Sequence, residues 1–289
     1  IQENKKRGRN DFEYELIDTG VFNGGAYFDV FIEYAKASAE DILIKVTAHN
    51  RGTAPADLHV LPHLWFRNTW SWEAGAEKPV LQEAGGAVKA TEAAQGERWL
   101  SCDGAPELLF TENETNMQRI FGVPNLSPHV KDGINDHVVH GKPGVVNPEK
   151  KGTKAAAHYR ATIGPGESRS FRLRLSAKQP KSPFKDFDEV MAARLKEADE
   201  FFASITPATL DADAANVYRQ AIAGMMWSKQ FYHYDVDKWL EERGSDPFKA
   251  NRKQAPRNDH WHHMYNGDVI SMPDKWEYPW FAAWDWAFH

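Results

Sequence analysis

The hydrophobic pattern of this chain changes period once, near Pro180, and that change limits what it can fold into. Before it, apolar and polar residues alternate. Phe12-Glu-Tyr-Glu-Leu-Ile17 and Tyr27-Phe-Asp-Val-Phe-Ile-Glu-Tyr34 carry the two-residue period of a strand, and Ile42-Leu-Ile-Lys-Val-Thr-Ala48 is β-branched and alternates towards its end. The polar turn Asn50-Arg-Gly52 comes next, then Ala56-Asp-Leu-His-Val-Leu-Pro-His-Leu-Trp-Phe66, which together predict a hairpin. Pro62 inside the second run marks an edge or a bulge, because proline cannot donate a ladder hydrogen bond. Further strands are expected at 87–90, 99–102, 108–111, 158–163 and 168–175, with a turn at Gly164-Pro-Gly-Glu167. Regularly spaced antiparallel strands of this kind predict a large β-sandwich. The stretch 122–152, rich in Gly, Pro, Asn, Asp and His, reads as a long loop.

After Pro180 the spacing is helical. Phe187, Val190, Met191, Arg194, Leu195, Ala198, Phe201 and Phe202 describe one amphipathic helix. Pro207 breaks the chain. Asp211 then suits the N-cap of a second helix through Val217, Tyr218, Ala221, Ile222, Met225 and Met226, the methionines filling a core. The change of pattern places a boundary near residue 205: a β domain with its linker helix over 1–205, and the start of a helical domain over 206–289.

With 289 residues the chain is long enough for one large or two ordinary domains. Its net charge of −6 shows no basic stripe for nucleic acid, and Lys5-Lys6-Arg7-Gly8-Arg9 reads as a solvated surface segment. No apolar run is long enough to cross a bilayer, and Ile1-Gln2-Glu3-Asn4 does not read as a signal peptide, so neither nucleic acid nor membrane is an expected partner. A single cysteine, Cys102, leaves no internal disulfide framework; that is compatible with a reducing compartment, and a cytoplasmic location is expected. Asp259-His-Trp-His-His263 has a His-x-His spacing that puts two imidazoles on one side of a strand, but no third ligand stands at a standard spacing. No metal and no cofactor are therefore expected.

Tryptophan is the compositional outlier, with 11 residues. Trp65, Trp70, Trp72, Trp261, Trp276, Trp280, Trp284 and Trp286 stand beside polar or charged residues rather than in aliphatic runs. Residues 272–289 contain neither leucine nor isoleucine, and Asp285 is flanked on both sides by indoles. Flat rings bind sugars through their apolar C–H faces. A carboxyl group held among such rings is partly desolvated, which raises its pKa. A carboxylic acid kept protonated near neutral pH is the proton donor that glycoside cleavage requires. If a helix begins near Pro279, Trp280, Trp284 and Phe288 share one face, with Phe281 and Asp285 on the adjoining one. If it begins at Asp285, the carboxylate is an N-cap and the macrodipole lowers its pKa instead. Asp285 is the candidate catalytic acid; Trp276, Trp280, Trp284 and Trp286 are candidates for sugar binding, and Tyr278 and Lys275 for hydroxyl contacts. Glu277 is the one carboxylate of this segment that could pair with Asp285.

The segment Asn266-Gly-Asp-Val-Ile-Ser-Met-Pro-Asp-Lys-Trp-Glu-Tyr-Pro-Trp-Phe-Ala-Ala-Trp-Asp-Trp-Ala-Phe-His289 closely resembles the bacterial branch of glycoside hydrolase family 63. That family includes the processing α-glucosidase I of the secretory pathway and relatives that hydrolyse mannosylglycerate and glucosylglycerate. Glu15-Leu-Ile-Asp-Thr-Gly-Val-Phe22, Tyr27-Phe-Asp-Val-Phe-Ile-Glu-Tyr-Ala-Lys-Ala37, Leu64-Trp-Phe-Arg-Asn-Thr-Trp-Ser-Trp72 and Trp227-Ser-Lys-Gln-Phe-Tyr-His-Tyr-Asp-Val236 are similar to it too. The resemblance implies an N-terminal β-sandwich followed by an (α/α)6 barrel, and inverting hydrolysis of an oligosaccharide or a small α-glycoside. It implies that Asp285 is the general acid and that the general base is a glutamate far downstream, matched by no residue here. On that reading the chain is an incomplete fragment of a larger enzyme and is inactive alone. The alternative is a non-catalytic carbohydrate-binding protein with an aromatic cleft.

Overall fold

The structure is a computed structural model and describes all residues except 73–74, 247, 250–255, 258, 275, 279 and 289. The chain divides into two compact units, Ile1–Lys196 and Glu197–His289.

The first unit is built on β1 (Phe28–Ser38), β2 (Asp41–Asn50), β3 (Ala56–Val60), β4 (His63–Trp65), β5 (Val80–Ala84), β6 (Ala87–Glu92), β7 (Gly96–Cys102), β8 (Glu107–Thr111), β9 (Lys151–Gly152), β10 (Lys154–Ile163) and β11 (Ser168–Ser176). Seven strands form one antiparallel sheet in the order β1-β2-β11-β7-β6-β5-β9. A second sheet runs β3-β10-β4, with β8 also paired to β10. Both sheets supply a single core. The odd-numbered residues of β10, Ala155 to Ile163, meet Phe171 and Leu173 of β11 together with Val46, Leu81, Val88 and Leu100. This is the sandwich that the alternation predicts, although β8 and the first half of β10 are buried on both faces and edge strand β1 leaves most of its residues exposed.

Three local expectations change. The segment 12–17 forms no strand: Phe12 is 92% exposed and the segment belongs to no sheet, so its alternation has no ladder to hold it. The expected hairpin between β2 and β3 does not form either. β2 pairs with β1 and β11 while β3 pairs with β10, so the turn at 51–55 carries the chain from one sheet to the other. Asn50, 2% exposed, fixes that corner. Its Nδ2 donates to the carbonyls of Ala54 (2.8 Å) and Ile163 (2.9 Å), and its Oδ1 accepts from Gly52 N–H (2.8 Å). Pro62 interrupts the strand between β3 and β4 without shifting register: Val60 opposes Tyr159 and His63 opposes Ala156. Ala157 N–H still donates to the Pro62 carbonyl (3.0 Å), and only the reverse bond is lost.

The stretch read as a loop, 122–152, contains a helix. α1 (Met117–Phe121) precedes it, and α2 (Gly133–His140) lies within it, placing Ile134 and Val138 against Leu109 and Ala156. Three apolar residues, Ile134, Val138 and Val139, among Gly, Asn, Asp and His are too weak a pattern to see in the sequence; the tertiary contact supplies the stability. Buried Asp136 on this helix is bound by Arg119 (2.6 Å) and Lys142 (2.9 Å). Hydrogen bonding from Lys142 is the main cause that holds its carboxyl below the usual range.

α3 (Phe187–Ile205) starts in the first unit, where fully buried Phe187 packs on Ala35 and Leu43. Arg174, buried on β11, ties this start to the sheet. Its guanidinium donates to both oxygens of Asp41 (2.8 and 2.6 Å), to Asp186 (2.6 Å) and to the Pro183 carbonyl (2.9 Å).

The second unit takes in the end of α3 and α4 (Ala212–Trp227). Asp211 is the N-cap of α4 as expected, its Oδ1 accepting from Ala214 N–H at 2.8 Å. Beyond α4 the chain is not purely helical. β12 (Lys229–Asp235), α5 (Val236–Glu242) and β13 (Tyr265–Ser271) come next, and β12 pairs with β13 from Lys229↔Ser271 to Asp235↔Tyr265. The consecutive aromatic residues Phe231, Tyr232, His233 and Tyr234 favour this two-stranded ribbon. Val236, Leu240, Ile270 and Met272 are buried in the unit. A last short helix, α6 (Ala283–Trp286), closes the described chain. Among the described residues no helix is long and apolar enough to cross a membrane.

Candidate functional site

Asp285 is the third residue of α6, whose N-cap is Ala282. The helix thus begins four residues after Pro279, itself outside the described residues, and the carboxylate is not an N-cap. Trp286 N–H donates to the Ala282 carbonyl (3.0 Å) and Phe288 N–H to the Asp285 carbonyl (3.0 Å). Trp280 and Phe281 precede the helix, so Trp280, Trp284 and Phe288 do not form one continuous helical face. Asp285 is half-buried, and its carboxylate makes no hydrogen bond or ion pair among the described residues.

The rings around it differ in what they touch. Trp284 is 79% exposed and Trp276 93%, and Trp280 is also open. Tyr278 leans on Trp280, with ring centroids 5.2 Å apart. Trp286 is half-buried with its ring edge-on to Phe281 at 4.9 Å, and Phe281 lies 5.3 Å from Tyr232 of β12. Trp284, Trp280 and Trp276 therefore present free faces, whereas Trp286 is engaged within the unit. The turn before them is organised by Asp274, whose Oδ1 accepts from the N–H groups of Trp276 (3.1 Å) and Glu277 (2.9 Å). Glu277 is exposed. Lys275 lies outside the described residues.

The ribbon adds residues that sequence reasoning did not single out. Gln230, Tyr232 and Tyr234 share a half-buried face of β12, and Asn266, Asp268 and Ile270 share the matching face of β13, with Tyr232 opposite Asp268. Gln230 Oε1 and Asn266 Oδ1 are buried there without a hydrogen-bond partner. The aromatic run Phe231-Tyr-His-Tyr234 was the signal for a strand here, but it sets rings on both faces and does not tell which one is covered.

The histidine cluster is engaged in pairs. His262 Nδ1 lies 3.0 Å from Asp237 Oδ1, and Trp261 Nε1 donates to His260 Nε2 at 2.9 Å. Among the described residues no three His, Cys, Asp or Glu side chains are grouped so as to hold a metal. In the first unit, Arg67 stacks over exposed Trp72 at 5.1 Å, and Trp70 Nε1 donates to Glu114 at 3.4 Å. Burial pushes the Cys102 thiol up to about 12, so it stays protonated and is a poor nucleophile.

No family model matches the chain. It is 34% identical, over 337 aligned positions, to the uncharacterized protein YMR196W of Saccharomyces cerevisiae; the match takes in 100% of this chain and 31% of the yeast protein. The chain thus spans under a third of the length of that relative. A solved structure named "Putative kojibiose phosphorylase from human microbiome" overlays 76% of this chain and 23% of its own, at 9% identity and a TM-score of 0.25. A likeness that low carries no argument about fold or function.

Proposed function

We propose that this chain is part of a glycoside-cleaving enzyme of the family 63 type, with Asp285 as its general acid. The observation that carries the reading is the setting of Asp285: a half-buried carboxylate with no cation bound to it among the described residues, between an open indole at 284 and an anchored one at 286. A carboxyl group that no cation engages is open to hydrogen-bond the glycosidic oxygen of a bound sugar. Trp284, Trp280 and Trp276 then offer ring faces to the sugar, with Tyr278 and Lys275 reaching its hydroxyls. Trp286 takes the other role, holding the helix turn that carries the acid. On this reading the second unit is the opening segment of an (α/α)6 barrel. The reaction is inverting: Asp285 protonates the departing oxygen while a second carboxylate, roughly 6.5–9.5 Å away, activates water on the opposite face. By resemblance that base is a glutamate from a later part of the family's chain.

The test is Asp285→Asn in the complete gene product, assayed on a panel of α-glucosides and α-mannosides with anomeric NMR. The expected result is a loss of turnover of at least about a hundredfold, the usual contribution of a positioned acid, with an unchanged circular dichroism spectrum. Wild-type turnover in that variant would overturn the assignment. Binding of the same glycosides without any turnover by the wild type would favour a carbohydrate-binding protein instead.

A further inference from the structure

A second site lies in the first unit, independent of Asp285 and its indoles. β8 pairs with β10 only as far as Glu107↔His158, and β7 pairs with β11 only as far as Cys102↔Leu173. Past those points, apart from one bond from Asp103 N–H to the Arg172 carbonyl (3.0 Å), β10 and β11 have no paired strand on that side. Between them is a cleft of about 570 Å³, bounded at one end by the β7–β8 turn. Arg160 of β10 and Arg169 and Arg172 of β11 line it, with Asp103 from that turn and Glu107 at the start of β8.

One cation of this cleft is unpaired. Arg160 is bound to Glu107 (3.1 Å), and Arg172 to Asp103 (2.6 Å) and, from outside the cleft, to exposed Asp188 (3.7 Å). Arg169 has no carboxylate partner among the described residues; its guanidinium lies 5.9 Å from the ring of Phe171. The position of Arg169 is also unusual. It shares strand parity with Phe171 and Leu173, which point into the core, so it stands on the inward face of β11 at the open end of the sandwich. Across from it, Tyr159 is only 8% exposed and packs 4.9 Å from Phe171, and its buried hydroxyl has the weakly bonding Cys102 thiol beside it as its polar neighbour among the described residues. A buried hydroxyl set against a thiol is poorly satisfied, and an acceptor entering between the sheets would satisfy it better.

We propose that this cleft binds a small ligand bearing an oxyanion, a phosphate or a carboxylate on a polar carrier, with Arg169 as its charge partner. The guanidinium fork suits either group, since both present two oxygens to paired N–H donors. The salt-bridged Arg160 and Arg172 form a fixed rim, their orientations set by Glu107 and Asp103, and the Tyr159 hydroxyl donates to the ligand oxygen that reaches the floor.

Isothermal titration of the full chain with inorganic phosphate and, separately, with citrate, at constant ionic strength in sodium chloride, tests the site. Saturable binding of at least one is expected, and which one binds identifies the phosphate or the carboxylate source. Arg169→Gln is expected to weaken it at least roughly tenfold, and Tyr159→Phe, which keeps the ring and removes only the hydroxyl, by up to about tenfold. Arg51→Gln, which breaks a surface pair with Asp29 elsewhere, is expected to bind as the wild type does. Absence of saturable binding for both anions, or equal affinity in wild type, Arg169→Gln and Tyr159→Phe, would overturn the proposal. Tyr159→Phe keeps the test decisive should Arg169→Gln fail to fold.

Discussion

The ring of Phe281 meets the indole of Trp286 edge-on, with centroids 4.9 Å apart and planes at 76°. Because Phe281 also touches Tyr232 at 5.3 Å, the residue next to Asp285 is tied to the β12–β13 ribbon by a run of three rings. Edge-to-face pairs of this kind contribute about 0.5–1.5 kcal/mol each beyond simple burial.

Phe281→Ala is therefore expected to release Trp286, lowering the near-UV circular dichroism and shifting tryptophan emission to longer wavelength. Trp284→Ala, which removes a ring already open to water, is expected to leave the near-UV signal of the remaining indoles nearly unchanged. Under the glycoside-cleaving function proposed above, the two variants should also separate in turnover assays: Phe281→Ala acting mainly on kcat, Trp284→Ala mainly on KM.

Arg174 is the joint between the large sheet and the start of α3. Its hydrogen bonds to the carboxylates of Asp41 and Asp186 raise its pKa, and Arg174 in turn holds the Asp186 carboxyl below the usual range. Arg174→Ala would strand Asp41 and Asp186 without their cation and is expected to cost about 3 kcal/mol in urea unfolding. Arg174→Lys keeps the charge but loses the fork, and should fall between the two.

Glycines at close backbone approaches should separate from glycines in open space. A Cβ at Gly152 would overlap the Thr111 carbonyl, so Gly152→Ala is expected to destabilise by about 2 kcal/mol through forced backbone shifts. Gly224 lies inside α4 with nothing near its virtual Cβ, and Gly224→Ala is expected to stabilise by about 0.8 kcal/mol. Paired chemical denaturation curves measure both.

His158 makes the first unit sensitive to acid. Burial, aided by the neighbouring Arg160, lowers its pKa below the ordinary 6.5, although Glu107 opposes the shift. Its Nε2 lies 3.0 Å from His59 Nδ1. His63, desolvated and near Lys154, is lowered to about 4. For a histidine with a depressed folded pKa, the unfolded chain binds more protons at acid pH. This stability is fully present above about pH 6.5 and is lost as pH falls through the folded values. Urea midpoints are expected to drop between pH 6.5 and 4, and His158→Gln should flatten that slope.

The strands with strong alternation were legible. β1, β2, β10 and β11 fall where the two-residue period put them; β2, β10 and β11 set alternate residues into a shared core, and β1 is held as an edge strand by its ladder with β2. The partners were not. Asn50-Arg-Gly52 has the residues of a hairpin turn, yet the buried side chain of Asn50 bonds to Ala54 and Ile163 and sends the chain to the other sheet. α2 escaped notice because its helicity rests on packing against Leu109 and Ala156 rather than on its own composition. The alternation over 12–17 misled because a strand needs a neighbour as well as a pattern.

At the candidate site, the run of indoles around Asp285 was visible in the residues themselves, as was the absence of aliphatic core residues from 272–289. Which indoles stay open and which are anchored was not. Trp284 and Trp286 flank the same carboxylate two positions apart, and only the arrival of Phe281 beside one of them tells them apart. By itself the sequence determined the alternating strands, the helical turn after Pro180 and the aromatic setting of a single acid, since these depend on residue type and local spacing. Strand order, the open cleft at Arg169 and the ring chain behind Asp285 were decided by tertiary structure, because each depends on residues far apart in the chain coming within a few ångströms, and no local period encodes that.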